Sequence, residues 1–267
     1  MIDGLEAITF DFGNTLVPFP PGPMAEVVRL TAERAAELVG CSPEQFIEAW
    51  SEERLRQFAE DVPEGREADM DVRVGRVLAR LRGMPVPPAD RRWDDLAAAV
   101  LARPGEVDTI LDTYADAFVG STPVPPDIGP MLERLSARYR LGLISNWPLS
   151  MSIERFLVAA GWRDHLMSVV VSHRVGAIKP LGAIFEVAAA ELGVASGPSI
   201  LHVGDDLGAD VFGAQRLGWR TAWVRLKPAD SQLPVAPPAP DARPDLTIDS
   251  VLGLEAALAE LPHASGK

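Results

Sequence analysis

Short runs of apolar residues recur through the second half of the chain, and their composition is typical of buried strands. These runs read RLGLIS, SVVVS, SILHVG and RTAWVR, and they occupy residues 140–145, 168–172, 199–204 and 220–225. Stretches with helical spacing of apolar residues separate them, and an earlier run at residues 6–10 adds a fifth strand. Near-continuous apolar strands that alternate with helices are typical of a parallel sheet covered on both faces. The pattern predicts an α/β fold with a doubly wound, Rossmann-like parallel sheet.

Residues 20–119 interrupt this alternation, because their apolar spacing indicates helices only. A capping box starts one helix, with Ser42 at the N-cap, Pro43 at the first helical position and Gln45 closing the box. We expect further helices near residues 24–39, 68–82, 89–102 and 105–119. An all-helical block of this length predicts a cap domain at 20–119, inserted into a core formed by residues 1–19 and 120–267.

The end of the chain has two parts of different character. Residues 228–244 are rich in proline and contain no periodic apolar pattern, so they are predicted to form a loop. Residues 250–261 have the apolar spacing of a helix that would close the core domain.

Bulk composition restricts the class of function. Of the 267 residues 47% are hydrophobic, and the formal net charge is −13. Nucleic-acid affinity comes from basic side chains that neutralise phosphates, so this charge argues against a nucleic-acid partner. No apolar run approaches the roughly 20 residues of a membrane-spanning helix, and no signal peptide is visible. Cys41 is the single cysteine, which suits a reducing compartment, so we expect a cytoplasmic protein without a membrane partner.

Polar side chains follow four of the predicted strands. In open α/β sheets, ligands bind beyond the carboxyl ends of the strands. Each signal alone is also compatible with a turn, a solvated acidic loop or a surface lysine. Because all of them follow core strands, we expect them to form one site. The residues are Asp11, the pair Ser145 and Asn146, Lys179 within GAIKP, and the acidic group Asp205, Asp206 and Asp210.

These motifs, in this order, resemble those of the haloacid dehalogenase-like hydrolase superfamily. The resemblance covers nearly the whole chain and is closest to the subgroup whose helical cap is inserted between the first and second motifs. It implies that Asp11 is a nucleophile that takes up a phosphoryl group as an aspartyl-phosphate. It also implies that Ser145, with Asn146 beside it, binds the phosphoryl oxygens, and that Lys179 neutralises both nucleophile and substrate.

The same resemblance implies a Mg²⁺ site. In that family the residues matching Asp205 and Asp210 hold the ion, together with Asp11 and the main-chain carbonyl at the position of Gly13. Physical chemistry agrees, because several carboxylates at one sheet edge repel one another and raise their pKa values. A hard cation with oxygen ligands removes that cost, and Mg²⁺ suits a few carboxylates plus a phosphate.

Gly13 departs from the family pattern, because phosphatases of this family carry an aspartate there as the general acid and base. Such catalysis contributes roughly 10²- to 10⁴-fold, so its loss would slow the reaction without abolishing it. Substrates whose leaving groups are stable anions, such as acyl or aryl phosphates, would then be favoured. Alternatively, glycine would serve a left-handed main-chain conformation that other residues adopt at a cost.

The leading hypothesis is a Mg²⁺-dependent hydrolase that acts on a small phosphorylated metabolite. A catalytically weakened relative that binds a phosphorylated ligand or a protein partner is the competing hypothesis, and Gly13 favours it. Dehalogenating members of the family typically have an aromatic residue at this position and need no metal, so the intact acidic motif argues against that branch. Phosphonate-cleaving members use a cap lysine, and residues 20–119 contain none.

Three further groups of residues have simpler interpretations. His202 is expected to pack in the core, and Trp147 either lines the substrate mouth or covers the core. Arginines of the helical block are candidates for binding a substrate anion, although most helix arginines are solvated. They are Arg54, Arg56, Arg66, Arg73 and Arg76.

Overall fold

The computed structural model describes residues 4–231, 233–237 and 239–260, and it contains one six-stranded parallel sheet. The strands are β1 (Ala7–Phe10), β2 (Arg140–Ser145), β3 (Ser168–Val171), β4 (Ile200–Gly204), β5 (Arg220–Val224) and β6 (Leu246–Ile248). All neighbouring strands pair in parallel, in the order β3-β2-β1-β4-β5-β6. The five predicted strands are present, and β6 is an additional strand of three residues at the edge.

The chain divides into two compact units, a sheet unit and a helical unit. The sheet unit contains the residues up to 21, residues 123–146 and the residues from 157 onward. Residues 22–122 and 147–156 form the helical unit. The segment 147–156 groups with the helices because the rings of Trp147 and Phe156 lie 5.1 and 6.0 Å from that of Phe118. The assignment of 20–119 as a cap and of 1–19 with 120–267 as a catalytic core stays a prediction.

Five helices follow β1 and account for most of the helical unit. The capping box is present, because Gln45 N donates to Ser42 Oγ and Ser42 N donates to the Gln45 side chain. The helix predicted at 89–102 is shorter, because the Asp94 side chain accepts from Ala97 N and starts the helix there. The helices are α1 (Pro21–Val39), α2 (Pro43–Asp61), α3 (Met70–Leu81), α4 (Asp95–Ala99) and α5 (Glu106–Ser121).

The remaining helices follow the order expected for a doubly wound sheet. Ile144, Phe185, Leu192 and Trp219 belong to one buried apolar cluster between the sheet and the helix Gly182–Leu192. After β4 the chain forms a π-helix over Leu207–Phe212, where an ordinary helix is predicted. The helices are α6 (Ile128–Ser136), α7 (Ser150–Ala159), α8 (Ser172–Val175), α9 (Gly182–Leu192), α10 (Gly213–Gln215) and α11 (Leu254–Glu260).

The two predictions for the chain end are largely confirmed within the described residues. The described residues of 228–244 form no helix or strand, and a short 3₁₀ turn at Val251–Gly253 leads into α11. Residue 261, the last of the predicted closing helix, lies outside the described residues. Across the part of the chain that the structure describes, none of the helices has the length and hydropathy of a membrane span.

Candidate active site

The predicted site residues of the sheet unit come together at one edge of the sheet. The central strand β1 lies between β2 and β4, so the chain segments that follow these three strands are neighbours. Asp11 follows β1, Ser145 ends β2, and Asp205 follows β4. Lys179 lies in the loop before α9, and Asp210 lies on the π-helix after β4.

Lys179 is the centre of the polar contacts at this edge. Its ammonium group donates to Asp11 Oδ1 and to Asp210 Oδ1, both at 2.7 Å, and to the carbonyl of Ile144 at 2.8 Å. The side chain is buried, with 2% of its surface exposed. All three donors of the ammonium group therefore have an oxygen partner, and two of the partners are carboxylates.

Asp11, Asp205 and Asp210 form a cluster that fits a hard cation. One carboxylate oxygen from each of them lies within 4.8 Å of the other two. Oxygen ligands of one Mg²⁺ are at about 2.0–2.1 Å from the ion and hence no more than about 4.2 Å from one another, so small side-chain movements suffice. Asp206 has a different task, because its Oδ1 accepts from the main-chain N–H groups of Gly208 and Ala209.

Burial and mutual repulsion give these carboxylates unusual proton affinities. Burial raises the pKa of Asp11 to about 7, and the charges of Asp210 and Asp205 add to the rise while Lys179 opposes it. Burial likewise raises the pKa of Asp205 to about 6, with Asp210 acting in the same direction. Burial also works against the charged form of Asp210, but Lys179 and His202 hold the pKa of Asp210 well below its usual range. Two of the three carboxylates thus lack sufficient positive charge around them, as expected of a cation site.

His202 has a more specific place than the expected packing in the core. Its Nε2 lies 3.2 Å from Asp210 Oδ1, and its Nδ1 lies 2.8 Å from the Thr9 hydroxyl oxygen. Phe185 packs edge-on against the ring. Burial, followed by the neighbouring Lys179 charge, lowers the pKa of His202, against the effect of Asp210. A neutral imidazole with Nε2 protonated would donate to Asp210 and accept from Thr9. The alternation of the β4 sequence, ILHVG, carries no signal of this contact.

Lys227 is a second basic group at the site that the motifs do not include. Its ammonium group donates to Asp205 Oδ2 at 3.0 Å, and its side chain is about one-third exposed, at 32%. Lys227 lies just after the end of β5, and this position was the feature of the sequence that could have identified it as a site residue.

Ser145 and Asn146 lie where the motif predicts, but the amide of Asn146 is engaged within the loop. Ser145 is buried at the end of β2. Asn146 Oδ1 accepts from Lys179 N at 2.8 Å, and Asn146 Nδ2 donates to Lys179 O at 3.1 Å. This pair of hydrogen bonds fixes the main chain of Lys179. A direct role of Ser145 and Asn146 in binding substrate stays a prediction.

Gly13 does not adopt the left-handed conformation that was one explanation of this glycine. The residue with that conformation is its neighbour Asn14, with φ of 59°, so the explanation from backbone freedom is wrong. Space provides a different reason. A Cβ atom on residue 13 would lie 2.5 Å from Cδ1 of Leu233, a residue of the proline-rich segment.

The arginines proposed to bind a substrate anion all have partners inside the helical unit. Arg56 donates to the carbonyls of Pro87, Pro88 and Arg91, and Arg76 donates to Glu60 and Asp95. The other three contact Asp61 and Glu64 (Arg66), Gln57 and the carbonyl of Ala68 (Arg73), and the ring of Phe58 (Arg54). These contacts give each arginine a structural role in the unit.

Comparison with known proteins agrees with the fold and the motifs. The model of the haloacid dehalogenase-like hydrolase family matches residues 5–218. A glyceraldehyde 3-phosphate phosphatase of Methanopyrus kandleri is 29% identical over 246 residues, which are 92% of this chain and 93% of the relative. A ribulose-1,5-bisphosphate 5-phosphatase of Halopiger xanaduensis is 26% identical over 217 residues, covering 80% and 82% of the two chains.

Among solved structures, a 2-haloacid dehalogenase of Pseudomonas syringae superposes with a TM-score of 0.65. It is 25% identical, and the match covers 96% of this chain and 98% of the dehalogenase. The likeness extends to the helical insertion after β1 as well as to the sheet, as the resemblance of the motifs led us to expect. With its family match, its six-stranded parallel sheet and its inserted helices, the chain belongs to the haloacid dehalogenase-like hydrolases.

Proposed function

We propose that the protein is a Mg²⁺-dependent phosphatase that hydrolyses a small phosphorylated metabolite through an aspartyl-phosphate at Asp11. The observation that carries this proposal is the contact of one buried ammonium group with two carboxylates. Lys179 bridges Asp11 and Asp210 at 2.7 Å each, and Asp205 completes the acidic group. A nucleophile held beside a fixed positive charge is suited to an anionic substrate, because that charge offsets the repulsion between them.

The reaction needs two displacements at phosphorus. A carboxylate oxygen of Asp11 forms a bond to phosphorus while the bond to the ester oxygen breaks, and the ester oxygen leaves with that electron pair. A water molecule then forms a bond to phosphorus, and the bond to Asp11 breaks. The two protons of the water end on the departed oxygen and on the released phosphate. Lys179 holds its position beside Asp11 through both displacements, because Asn146 fixes its main chain.

Mg²⁺ would be held by Asp11, Asp205 and Asp210, with the family's further ligand being the main-chain carbonyl of Gly13. When bound, it supplies positive charge that screens the carboxylates from one another and from the phosphoryl oxygens. Asp206 and His202 orient the ligand Asp210. The Asp206 N–H donates to Asp210 Oδ2 at 3.0 Å, and the imidazole lies against Oδ1.

Small sugar phosphates are the first substrates to examine, because both curated relatives described above are named as phosphatases of such compounds. Gly13 adds a further criterion. With no carboxylic acid at this position, esters whose leaving oxygen is weakly basic are expected to react fastest. Acetyl phosphate and aryl phosphates therefore belong in the same set as the sugar phosphates.

The second candidate function is a binding protein with weakened catalysis, and Gly13 favours it, because glycine leaves the site without the general acid and base of the family's phosphatases. The two functions differ in turnover, because a binding protein would retain ligand without releasing phosphate. The similar structure of a 2-haloacid dehalogenase gives a third outcome to test, halide release from a 2-haloacid.

The experiment is a substrate screen that measures phosphate release with Mg²⁺ and with EDTA. D-Glyceraldehyde 3-phosphate, a pentulose bisphosphate, nucleoside monophosphates, p-nitrophenyl phosphate and acetyl phosphate form the set, and 2-chloropropionate is included for halide release. Asp11→Asn, which keeps the shape of the side chain and removes the nucleophile, is the matched control. We expect Mg²⁺-dependent release of phosphate that this variant loses. Turnover by Asp11→Asn equal to that of the native protein would contradict the proposal.

A further inference from the structure

We infer that Leu233 is a specificity-determining residue, which occupies the place next to Gly13 and gives the leaving-group side of the site an apolar wall. The inference rests on the proposed function, since it names the class of phosphate ester that the same site would take. Leu233 belongs to a short segment after β5, Ser231 and residues 233–237, which we call the strap. The strap has no regular secondary structure, and its position follows from individual contacts.

The first contact is steric and concerns residue 13. A side chain there would begin 2.5 Å from Leu233 Cδ1, well inside the van der Waals distance of two carbon atoms. The ring of Phe19 lies on the same side, 3.6 Å from the position of that Cβ. Glycine at 13 and leucine at 233 therefore share one volume, and a larger residue at 13 requires Leu233 to move.

Polar contacts hold the strap at both loops that carry the carboxylates. On the first loop, Asn14 Nδ2 donates to Ser231 Oγ at 3.0 Å. On the acidic loop, Ala236 N donates to Asp206 Oδ2 at 2.8 Å. Asp206 also caps the π-helix that carries Asp210, so the strap is tied to the element that positions a carboxylate of the site.

A close backbone approach makes the third contact. A Cβ atom on Gly208 would lie 2.6 Å from the carbonyl oxygen of Pro237, so glycine is needed for the strap to pass here. Gly13 and Gly208 are thus two glycines, on two different loops, whose missing side chains leave room for the same segment. Because glycines on two loops of the site make room for the same segment, we infer that the strap is part of the site.

An apolar side chain at this place has a definite chemical consequence. The leaving oxygen departs with the electron pair of its bond to phosphorus, and a methyl group of Leu233 has no proton to give it. An alkoxide would then leave as a strong base, whereas a phenolate or a carboxylate is stable without a proton. The site would therefore select esters of acidic alcohols and acids.

The shared volume is tested by thermal unfolding, independently of activity. Gly13→Ala is compared in three backgrounds: native, Leu233→Ala, and Val235→Ala as the control. Val235 is in the same strap but is 68% exposed. We expect Gly13→Ala to lower Tm measurably in the native and Val235→Ala backgrounds and by much less with Leu233→Ala, because the end of the Leu233 side chain has to move only where it is present. Hydrogen exchange of the amides of Leu233, Val235 and Ala236 should quicken in Gly13→Ala, since the two prolines between 233 and 237 have no amide hydrogen. An equal change in Tm on Gly13→Ala in all three backgrounds would show that residues 13 and 233 do not compete for the same space.

Specificity is tested with a series of aryl and alkyl phosphates of increasing leaving-group pKa. The proteins are the native chain, Gly13→Asp, Leu233→Ala and the double variant. Only the double variant has both an acid and the space for it, so we expect it to hydrolyse alkyl phosphates roughly 10²-fold faster than the native chain and faster than either single variant. Its rates should also depend less on leaving-group pKa.

The two arms separate the failure of this inference from the failure of the proposed function. If Gly13→Asp alone matches the double variant, Leu233 has no influence on specificity, and the inference is wrong even though the phosphatase proposal stands. If none of the four proteins releases phosphate from any ester, the proposed function fails and the specificity role fails with it. Coupled unfolding temperatures would in that case still show that the strap packs on residue 13.

Discussion

At the residue scale, the shape of the cationic group matters at Lys179. Arginine carries the same charge as lysine, but its head group has a different size and donor geometry. The ammonium group of Lys179 is buried and has three oxygen partners at 2.7–2.8 Å. A planar guanidinium is larger and directs its donors along a fixed fork, so it cannot reproduce these three contacts. We expect Lys179→Arg to lower kcat/KM by at least about 10²-fold, the size of one electrostatic contact in a catalytic site.

Lys227→Arg is the matched comparison, because Lys227 also contacts a carboxylate of the site but is about one-third exposed. Its loss should be much smaller, since an exposed side chain has room to adjust. Near-native kcat/KM for Lys179→Arg in a folded protein would return Lys179 to a structural role.

The contact of His202 with Asp210 could not be predicted from the sequence. A pair of variants at residue 202 tests whether this contact supports metal binding. Gln places an amide nitrogen near the position of Nε2 and keeps a donor for Asp210, whereas Leu removes it. We expect His202→Leu to weaken Mg²⁺ binding about tenfold or more, and His202→Gln to weaken it less, because outer contacts of a metal ligand contribute 10- to 100-fold. Calorimetric titration measures both, and equal affinities would limit His202 to packing.

At the scale of elements, α2 carries a buried charge whose effect depends on pH. Burial raises the pKa of Glu53, although Arg76, Arg56 and Arg80 oppose the rise. A raised pKa means that the folded state binds the proton more tightly, so this contribution to stability is present below the unfolded pKa and is lost as pH rises through the folded pKa.

Glu53→Gln removes this titration while keeping the size of the side chain. The difference in Tm between Glu53→Gln and the native protein should move in favour of the variant as pH increases from 5 to 8. Glu133→Gln gives a control for the same substitution on a different helix, at an exposed position. A Tm difference for Glu53→Gln that is constant over this range would contradict the direction of the shift.

Elements with a local signal were predictable, and those that depend on distant contacts were not. The start of α2 followed from Ser42 and Gln45, because a capping box involves only four consecutive residues. By contrast, β6 has three residues and pairs with β5, so its apolar pattern is too short to be distinguished from a loop. The helix predicted at 89–102 starts only at residue 95, because the Asp94 side chain caps Ala97 N and the carbonyl of Arg91 accepts from the distant Arg56.

At the scale of the whole molecule, the site joins segments that are far apart in sequence. Asp11 and Lys179 could be predicted to meet, because parallel strands bring their carboxyl ends to one edge. Leu233 could not, because nothing in a proline-rich segment indicates which surface it will cover. The sequence therefore led to a correct question about Gly13 but to one wrong explanation, the left-handed conformation.

The three carboxylates of the candidate metal site, Asp11, Asp205 and Asp210, follow two different strands of the sheet. A cation that binds all three should therefore stabilise the sheet unit. A ligand that binds only the folded state stabilises it by about 2.7 kcal/mol at a concentration one hundred times its Kd. We expect saturating Mg²⁺ to raise Tm, EDTA to reverse the change, and Asp205→Asn to remove most of it. Asp249→Asn, at an exposed ion pair with Arg225, is the control. An equal rise in Tm with Mg²⁺ in the native protein and in Asp205→Asn would show that Asp205 does not bind the metal.

The volume shared by residues 13 and 233 also has an evolutionary side. Consider an ancestor with an acid at position 13 and a small residue at 233. If leucine at 233 came first, the intermediate was crowded, and if glycine at 13 came first, the intermediate had an empty volume. The two positions should therefore have changed together. Among relatives with the same strap, those with glycine at the position of Gly13 should carry a large apolar residue opposite it, and those with aspartate should carry a small one. A set of relatives in which the two positions vary independently would show that the contact left no trace in the history of the family.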